Sequence, residues 1–512
     1  MTRELMSDLR IKALIAKISM QGVQISPEFL NVLLKNKDEA SKILEEILKK
    51  LSTMENKPLI ITPEFISDSS KQYEEEIDVK DLAEEIEVIF EPTEYILQTP
   101  LSKDFRNYFM SRYMKLRKIM ISERYDARGA IDIRDLSNKK IIGATENKVK
   151  IICIVSDKKV SKSMITFDAE DLTGEVTVLV TMKNSDLLQK AQNIIPNEVI
   201  CVEGIPIGEG KILATDILQP EIPRQINNVC EKRGGPDIYA VLISDLHIGS
   251  RFFMRHAFNK FLLWLNGVFG DAKLKGFAKR TKYVVIAGDI VDGIGIYPGQ
   301  EKELAIKDLK RQYEVAAYYL SQIPQHVKII IVPGNHDATR QALPSPTLYK
   351  EYAAPLYKLS NVIILGDPAY IKLHKSLFLI THGKSLDDIM VNIANLKYET
   401  PAKAMIELLK RRHIAPVYGG RTLIAPEEED LMVIEKIPNV FHAGHIHTFE
   451  YTNYKGVTVV NSGTWQEQTE YMKNMGIYPN KAKAALINLN NNSVQAIIDF
   501  EEELESEGDQ DI

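Results

Sequence analysis

Five short apolar runs, each broken off by a polar motif, limit what the second half of this chain can fold into. They are IYAVLIS before Asp245-Leu246-His247, YVVIA before Gly288-Asp289-Ile290-Val291-Asp292, KIIIV before Pro333-Gly334-Asn335-His336-Asp337, LFLI before Thr381-His382-Gly383, and NVFHA before Gly444-His445-Ile446-His447. Unbroken apolar runs separated by stretches of helical spacing mark strands covered on both faces, so an α/β layered domain is expected over 226–500. In such domains ligands gather just beyond the carboxyl ends of the strands, where all five motifs fall.

Histidine usage singles out the same region. All ten histidines lie after position 245. The motifs contribute Asp245, His247, Asp289, Asn335, His336, His382, His445 and His447, a set of imidazole, carboxylate and carboxamide groups with no thiolate. Such donors suit Mn²⁺, Fe²⁺, Zn²⁺ or Ni²⁺, with geometry deciding between them. In Asp245-x-His247 and His445-x-His447 the spacing of two projects both side chains to one side of an extended segment. The glycines beside the motifs let the backbone turn sharply and approach a ligand closely.

Two ions sharing one carboxylate would use these ligands economically. A pair about 3.5–4 Å apart clamps a phosphate and lowers the pKa of a bridging water, as in-line hydrolysis of a phosphoester requires. His336 is then free to protonate the leaving oxygen. Asp337 or Asp292 is placed to orient an imidazole from behind.

Upstream of this domain the texture differs. Residues 1–52 read as a small helical module, with a Ser26-Pro27-Glu28 helix start and Ile43, Leu44, Ile47, Leu48 and Leu51 at helical spacing. Residues 53–100 are acidic and read as a solvated linker. Over 101–145 one amphipathic helix (102–122) leads into a barrel. Within 146–225 the order β-β-β-α-β-β is that of an OB-fold, a five-stranded Greek-key barrel. Its predicted strands carry only Phe167 as an aromatic, so protein contact is the expected role rather than single-strand stacking. Residues 501–512 read as a frayed acidic tail.

Taken in order, the motifs D245-L-H, G288-D-I-V-D, G334-N-H-D, H382-G and G444-H-I-H resemble the signature of the calcineurin-like metallophosphoesterases. The resemblance implies that Asp245, His247, Asp289 and His447 hold one metal, that Asp289, Asn335, His382 and His445 hold the other, and that His336 meets the scissile phosphate. The segments 292–301, 381–388, 409–430 and 460–473, with the OB-fold placed just ahead, are similar to the small subunits of archaeal family D DNA polymerases. These are relatives of the eukaryotic replicative polymerase B-subunits. What this second resemblance implies is a 3′→5′ proofreading exonuclease using two divalent ions (Mn²⁺ first, with Mg²⁺, Fe²⁺, Zn²⁺ or Ni²⁺ as alternatives). Its partners would be a large catalytic polymerase subunit and DNA 3′ ends, single-stranded or mismatched, with a sliding clamp or primase as further candidates. Lys410-Arg411-Arg412-His413 is either a solvated basic turn or a phosphate contact, which makes Arg411, Arg412 and His413 candidate DNA-binding residues.

Composition excludes little but is consistent. A net charge of −6, from 64 Lys and Arg against 70 Asp and Glu, gives no nucleic-acid argument by itself. Three cysteines (Cys153, Cys201, Cys230) cannot build a disulfide framework, and no apolar run reaches the length of a membrane span or a secretory leader. A cytoplasmic protein with no membrane partner is expected. Two rival readings stay open: another dinuclear phosphoesterase, or an assembly subunit without catalysis.

Overall fold

The computed structural model describes residues 9–21, 23–26, 29–30, 33, 40–53, 60–62, 79, 82–97, 102–137, 148–224 and 236–501. Cys230 and positions 502–512 of the acidic tail lie outside the described residues, as do Pro27 and Glu28 of the expected helix start. The chain divides into one unit over 1–81 and a second over 82–512.

In the first unit, helices α1 (Leu9–Met20) and α2 (Ala40–Thr53) pack through Ile18, Leu44, Ile47 and Leu51. Strand β1 (Gln24–Ile25) pairs in parallel with β2 (Ile60–Ile61). The module therefore reaches past position 52, and Ile61 is part of its core rather than of a linker.

The second unit holds a barrel and a layered domain. Strand β3 (Ile86–Phe90) comes first, then helix α3 (Ser102–Glu123). The barrel strands follow: β4 (Val149–Val160), β5 (Met164–Glu170), β6 (Glu175–Thr181), then helix α4 (Ser185–Gln192), β7 (Val199–Pro206) and β8 (Lys211–Leu218). They close in the order β4-β5-β6-β8-β7. Alternate residues such as Ile151, Cys153, Val155, Ile165 and Phe167 fill the interior. Phe167 is thus core, and the barrel strands offer no aromatic to a base.

Past the barrel, the chain alternates strand and helix. It forms β9 (Tyr239–Ile243), α5 (Arg255–Leu265), α6 (Ala272–Lys279), β10 (Thr281–Ala287), α7 (Leu309–Leu320), β11 (Lys328–Val332), α8 (Lys350–Tyr357) and β12 (Val362–Ile364). It continues with β13 (Ala369–Leu373), β14 (Ser376–Ile380), α9 (Leu386–Asn392), α10 (Pro401–Arg411), β15 (Val440–Ala443), β16 (Phe449–Tyr454), β17 (Val457–Ser462), β18 (Lys483–Asn488) and β19 (Ser493–Asp499). Two six-stranded sheets result, ordered β12-β11-β10-β9-β18-β19 and β16-β17-β15-β14-β13-β3.

Every residue of β10 is buried, as its unbroken apolar run requires. Tyr283, Val285 and Ala287 face the core between the sheets with Ile371, Phe378, Ile380 and Val460, while Val284 and Ile286 pack under α5 and α7. Helices α9 and α10 cover the outer face of the other sheet through Ile389, Met405 and Leu408. The result is a helix–sheet–sheet–helix sandwich. The expected linker needs correcting here, because Ile86–Phe90 of its stretch is the edge strand β3, paired antiparallel to β13.

The barrel, α3 and the sandwich are welded by buried charge. Arg112 of α3, fully buried, donates to Asp430 (2.7 Å), to the carbonyls of Pro416 (2.6 Å) and Asn197 (3.0 Å), and to the Tyr108 hydroxyl (2.7 Å). The basic turn at 411–413 belongs to this weld, which corrects its reading as a DNA contact. Arg411 pairs with Glu198 of the barrel (2.5 Å) and with Glu407, Arg412 pairs with Glu123 (2.8 Å), and His413 meets Asp430 (2.8 Å). All three are at most 1% exposed and out of reach of a phosphate.

His413 Nδ1 accepts the Ala415 N–H (3.0 Å), so its proton sits on Nε2 and is donated to Asp430. Burial and the nearby Arg112 guanidinium hold this imidazole neutral, down at about 4. Its pKa in the fold lies below the ordinary 6.5, so its contribution to stability is complete above pH 6.5 and is lost as pH falls towards 4. Denaturant titrations from pH 7.5 to 4.5 should show stability falling more steeply for the parent than for His413→Asn. Equal slopes would remove His413 from the acid response.

Candidate metal centre

The motifs sit on the loops leaving β9, β10 and β11 of one sheet and β14 and β15 of the other, all at one rim. Within each sheet these strands run parallel, so their carboxyl ends point the same way.

Backbone conformation does much of the positioning. Asp245, His247, Asp289, His445 and His447 all have positive φ, between 51° and 70°. This left-handed region costs a side-chain-bearing residue on the order of 1–3 kcal/mol and persists only where surroundings enforce it. Here the Asp245 N–H donates to the Gly288 carbonyl (2.9 Å), the His247 N–H to that of Asp289 (3.0 Å), and the His445 N–H to the Asp245 carboxylate (3.0 Å). Glycine is required where loops cross: a Cβ on Gly288 would lie 2.5 Å from His382 Nδ1 and 2.8 Å from Gly334 Cα.

The side chains form two groups around one carboxylate. In the first, His247 Nε2 lies 3.1 Å from His447 Nε2 and 3.9 Å from both Asp245 and Asp289, and His447 Nε2 lies 3.2 Å from Asp245. In the second, His382 Nε2 is 3.2 Å from Asp289 Oδ2 and 2.9 Å from Asn335 Oδ1, which is also 3.0 Å from His445 Nδ1. Ligand atoms each about 2.1 Å from a common ion stand about 3.0–3.4 Å apart at right or tetrahedral angles, so the shorter separations match edges of a coordination shell. The ring tautomers agree. His247 Nδ1 is tied to Asp292 (3.1 Å) and His382 Nδ1 to the Ala287 carbonyl (2.8 Å), leaving each Nε2 lone pair aimed inward. Nitrogen and carboxylate donors converging at these separations need a shared proton or a cation between them, and the donor set fits divalent metal.

Charge points the same way. Burial alone would raise Asp289, yet the imidazoles of His382 and His336 hold it well below the carboxylate range. Burial lowers His382, but Asp289 and Asp245 outweigh it and push this imidazole up to about 10. The pocket attracts positive charge.

The expected supporting residues fare differently. Asp292 accepts from His247 and from Gln466 Nε2 (3.1 Å), so it does steady an imidazole. Asp337 does not. Its carboxylate accepts the backbone N–H groups of Gly334 (2.9 Å), Ile290 (3.2 Å) and Val291 (3.4 Å) and clamps two loops together. Its burial, together with the nearby Asp289 charge, raises its pKa to about 6. His336 donates from Nδ1 to the Asp292 carbonyl (2.7 Å) and lines a cavity of about 310 Å³ that opens on the site. Sequence reading missed Gln466 and Asp387, which meets His445 Nε2 at 3.3 Å. Both lie in segments that carried the family resemblance, but neither stands inside a motif.

Residues 240–452 match the family pattern of the B-subunits of DNA polymerases alpha and epsilon. Over 468 residues, 86% of this chain and 75% of the relative, the sequence is 38% identical to the DNA polymerase II small subunit of Pyrococcus furiosus. Against that of Methanothermobacter thermautotrophicus it is 37% identical over 485 residues, covering 93% and 97% of the two chains. The chain belongs to the family of archaeal DNA polymerase II small subunits. With the Pyrococcus abyssi member it shares 40% identity over 398 residues, which is 77% of this chain and 63% of that longer relative. Among the described residues of this family member, no helix is long and apolar enough to cross a membrane.

Proposed function

We propose that the chain is a metal-dependent 3′→5′ DNA exonuclease that works beside a separate large polymerase subunit. One observation carries this reading: two groups of ligand atoms share Asp289 at the floor of an open cavity. The closed barrel supports assignment as an OB-fold, and the paired sheets with their common motif rim support a calcineurin-like phosphoesterase domain. The names of the relatives support a large partner subunit.

In this reading Asp245, His247, Asp289 and His447 would hold one ion, Asp289, Asn335, His382 and His445 the other, with Mn²⁺ the expected metal. When bound, the pair polarises the phosphodiester and lowers the pKa of the attacking water. Asp292 and Gln466 keep His247 in its ligating orientation, and Asp387 does the same for His445. His336, anchored through Nδ1, presents Nε2 to the cavity and acts as the general acid towards the departing 3′ oxygen. A frayed mismatch enters such a pocket more readily than a paired end, which biases removal towards errors.

The test is release of 3′-terminal nucleotides from a mismatched primer by the purified chain in Mn²⁺ and after chelation. His336→Asn should lower turnover by about 10²–10⁴-fold, the usual share of a general acid, with metal content retained. Degradation at the parental rate would remove the enzymatic reading and leave an assembly subunit.

A further inference from the structure

The cavity mouth carries a cation that the dinuclear centre does not use. Arg421 lines the cavity yet is exposed, and it makes no salt bridge among the described residues. Two consecutive carboxylates on α9 tie it to the site. Asp388, buried, accepts the backbone N–H groups of Arg421 (2.6 Å) and Thr422 (2.9 Å), which fixes the loop. Asp387 faces His445 Nε2 (3.3 Å) and accepts from the Tyr398 hydroxyl (3.0 Å). Arg421, Asp387, Tyr398 and His445 line the same cavity.

His445 links the candidate ligand Asn335 to Asp387, and Arg421 lines the same cavity. Arg421 makes no salt bridge to the motif carboxylates among the described residues, so its charge is available to a phosphate other than one held at the centre. Asp387 already has two hydrogen-bond partners, His445 and Tyr398, and no salt bridge ties Arg421 to it among the described residues. A guanidinium on an anchored backbone, exposed at the cavity and without a salt bridge among the described residues, suits a phosphate.

Resting on the phosphodiesterase reading above, we propose that Arg421 forms a second phosphate subsite, which engages the phosphodiester next to the one being cut. The preferred substrate is then a polynucleotide strand with at least two consecutive phosphodiesters. A single diester or a phosphomonoester is the poorer substrate.

The experiment compares kcat/KM of the full-length chain on thymidine dinucleotide (one phosphodiester) and trinucleotide (two) in Mn²⁺, for the parent, Arg421→Ala and Arg421→Lys. The parent should favour the trinucleotide by about tenfold or more, as a charge-assisted contact allows. In Arg421→Ala that preference should fall towards unity, with part of it restored by lysine. A second readout is anisotropy of a labelled oligothymidylate bound to the chelated protein. There, loss of one phosphate contact should reduce the slope of log affinity against log salt by about 0.7 in Arg421→Ala. An unchanged trinucleotide preference, or equal losses on both substrates with an unchanged salt slope, overturns the proposal. A parent that hydrolyses neither substrate overturns the phosphodiesterase reading instead.

Discussion

Asp289→Asn is expected to remove 3′-end degradation almost completely, by about 10³-fold or more, because the residue serves both halves of the site. Its carboxylate faces His382 at 3.2 Å on one side and His247 at 3.9 Å on the other. Asparagine keeps the shape, and it can still accept the His336 N–H that reaches Oδ1 at 2.8 Å, so the loops should stay in place. What disappears is the negative charge that faces His382 and His247 together, and several kcal/mol of transition-state stabilisation would depend on the ions it would hold. Metal analysis of the desalted protein should give two equivalents for the parent and at most one for the variant, with circular dichroism unchanged. Parental metal content and parental activity together would take Asp289 out of the centre.

Arg411→Ala should be the most damaging change away from the rim. It strips the charged partner from Glu198, which is 2% exposed, and burial then acts on a carboxylate left with only neutral hydrogen-bond donors such as Gln219 (3.4 Å). Breaking a buried pair from one side costs about 3–5 kcal/mol. Urea denaturation should register this as an earlier midpoint, with the barrel and the sandwich loosening together. If Arg411 met DNA instead, stability would stay near parental and only nucleotide binding would fall.

Much of this architecture could be read before any coordinates. Apolar runs such as KIIIV announce strands covered on both sides because alternation is absent from them, and histidine crowding marks their carboxyl ends. The clustering of these donors was readable for the same reason, since each stands within a few residues of a strand end. What could not be read depends on partners distant in sequence. Arg411 looks solvated in its own neighbourhood, and only Glu198, 213 positions earlier, makes it a buried weld. Strand β3 hides among acids, because an edge strand needs only one neighbour and leaves Glu87 exposed. Left-handed backbone at Asp245 and His447 has no glycine to betray it. Asp387 carries no motif and declares its role only by standing behind His445.

Strand β3 has a mechanical consequence. The chain enters the sandwich at 82–97, where the Thr347 N–H reaches the Thr93 hydroxyl (3.0 Å) and the Leu97 N–H reaches Glu427 (2.6 Å). It then leaves to build α3 and the barrel, and returns for the remaining strands. The barrel is thus a guest inserted into its host, tethered at both ends and pinned along its flank by Arg112 and Arg411. Anything that grips the barrel handles the motif-bearing rim as well, and a fragment that keeps the sandwich whole must be excised ahead of Leu82 rather than at the first residue of α3.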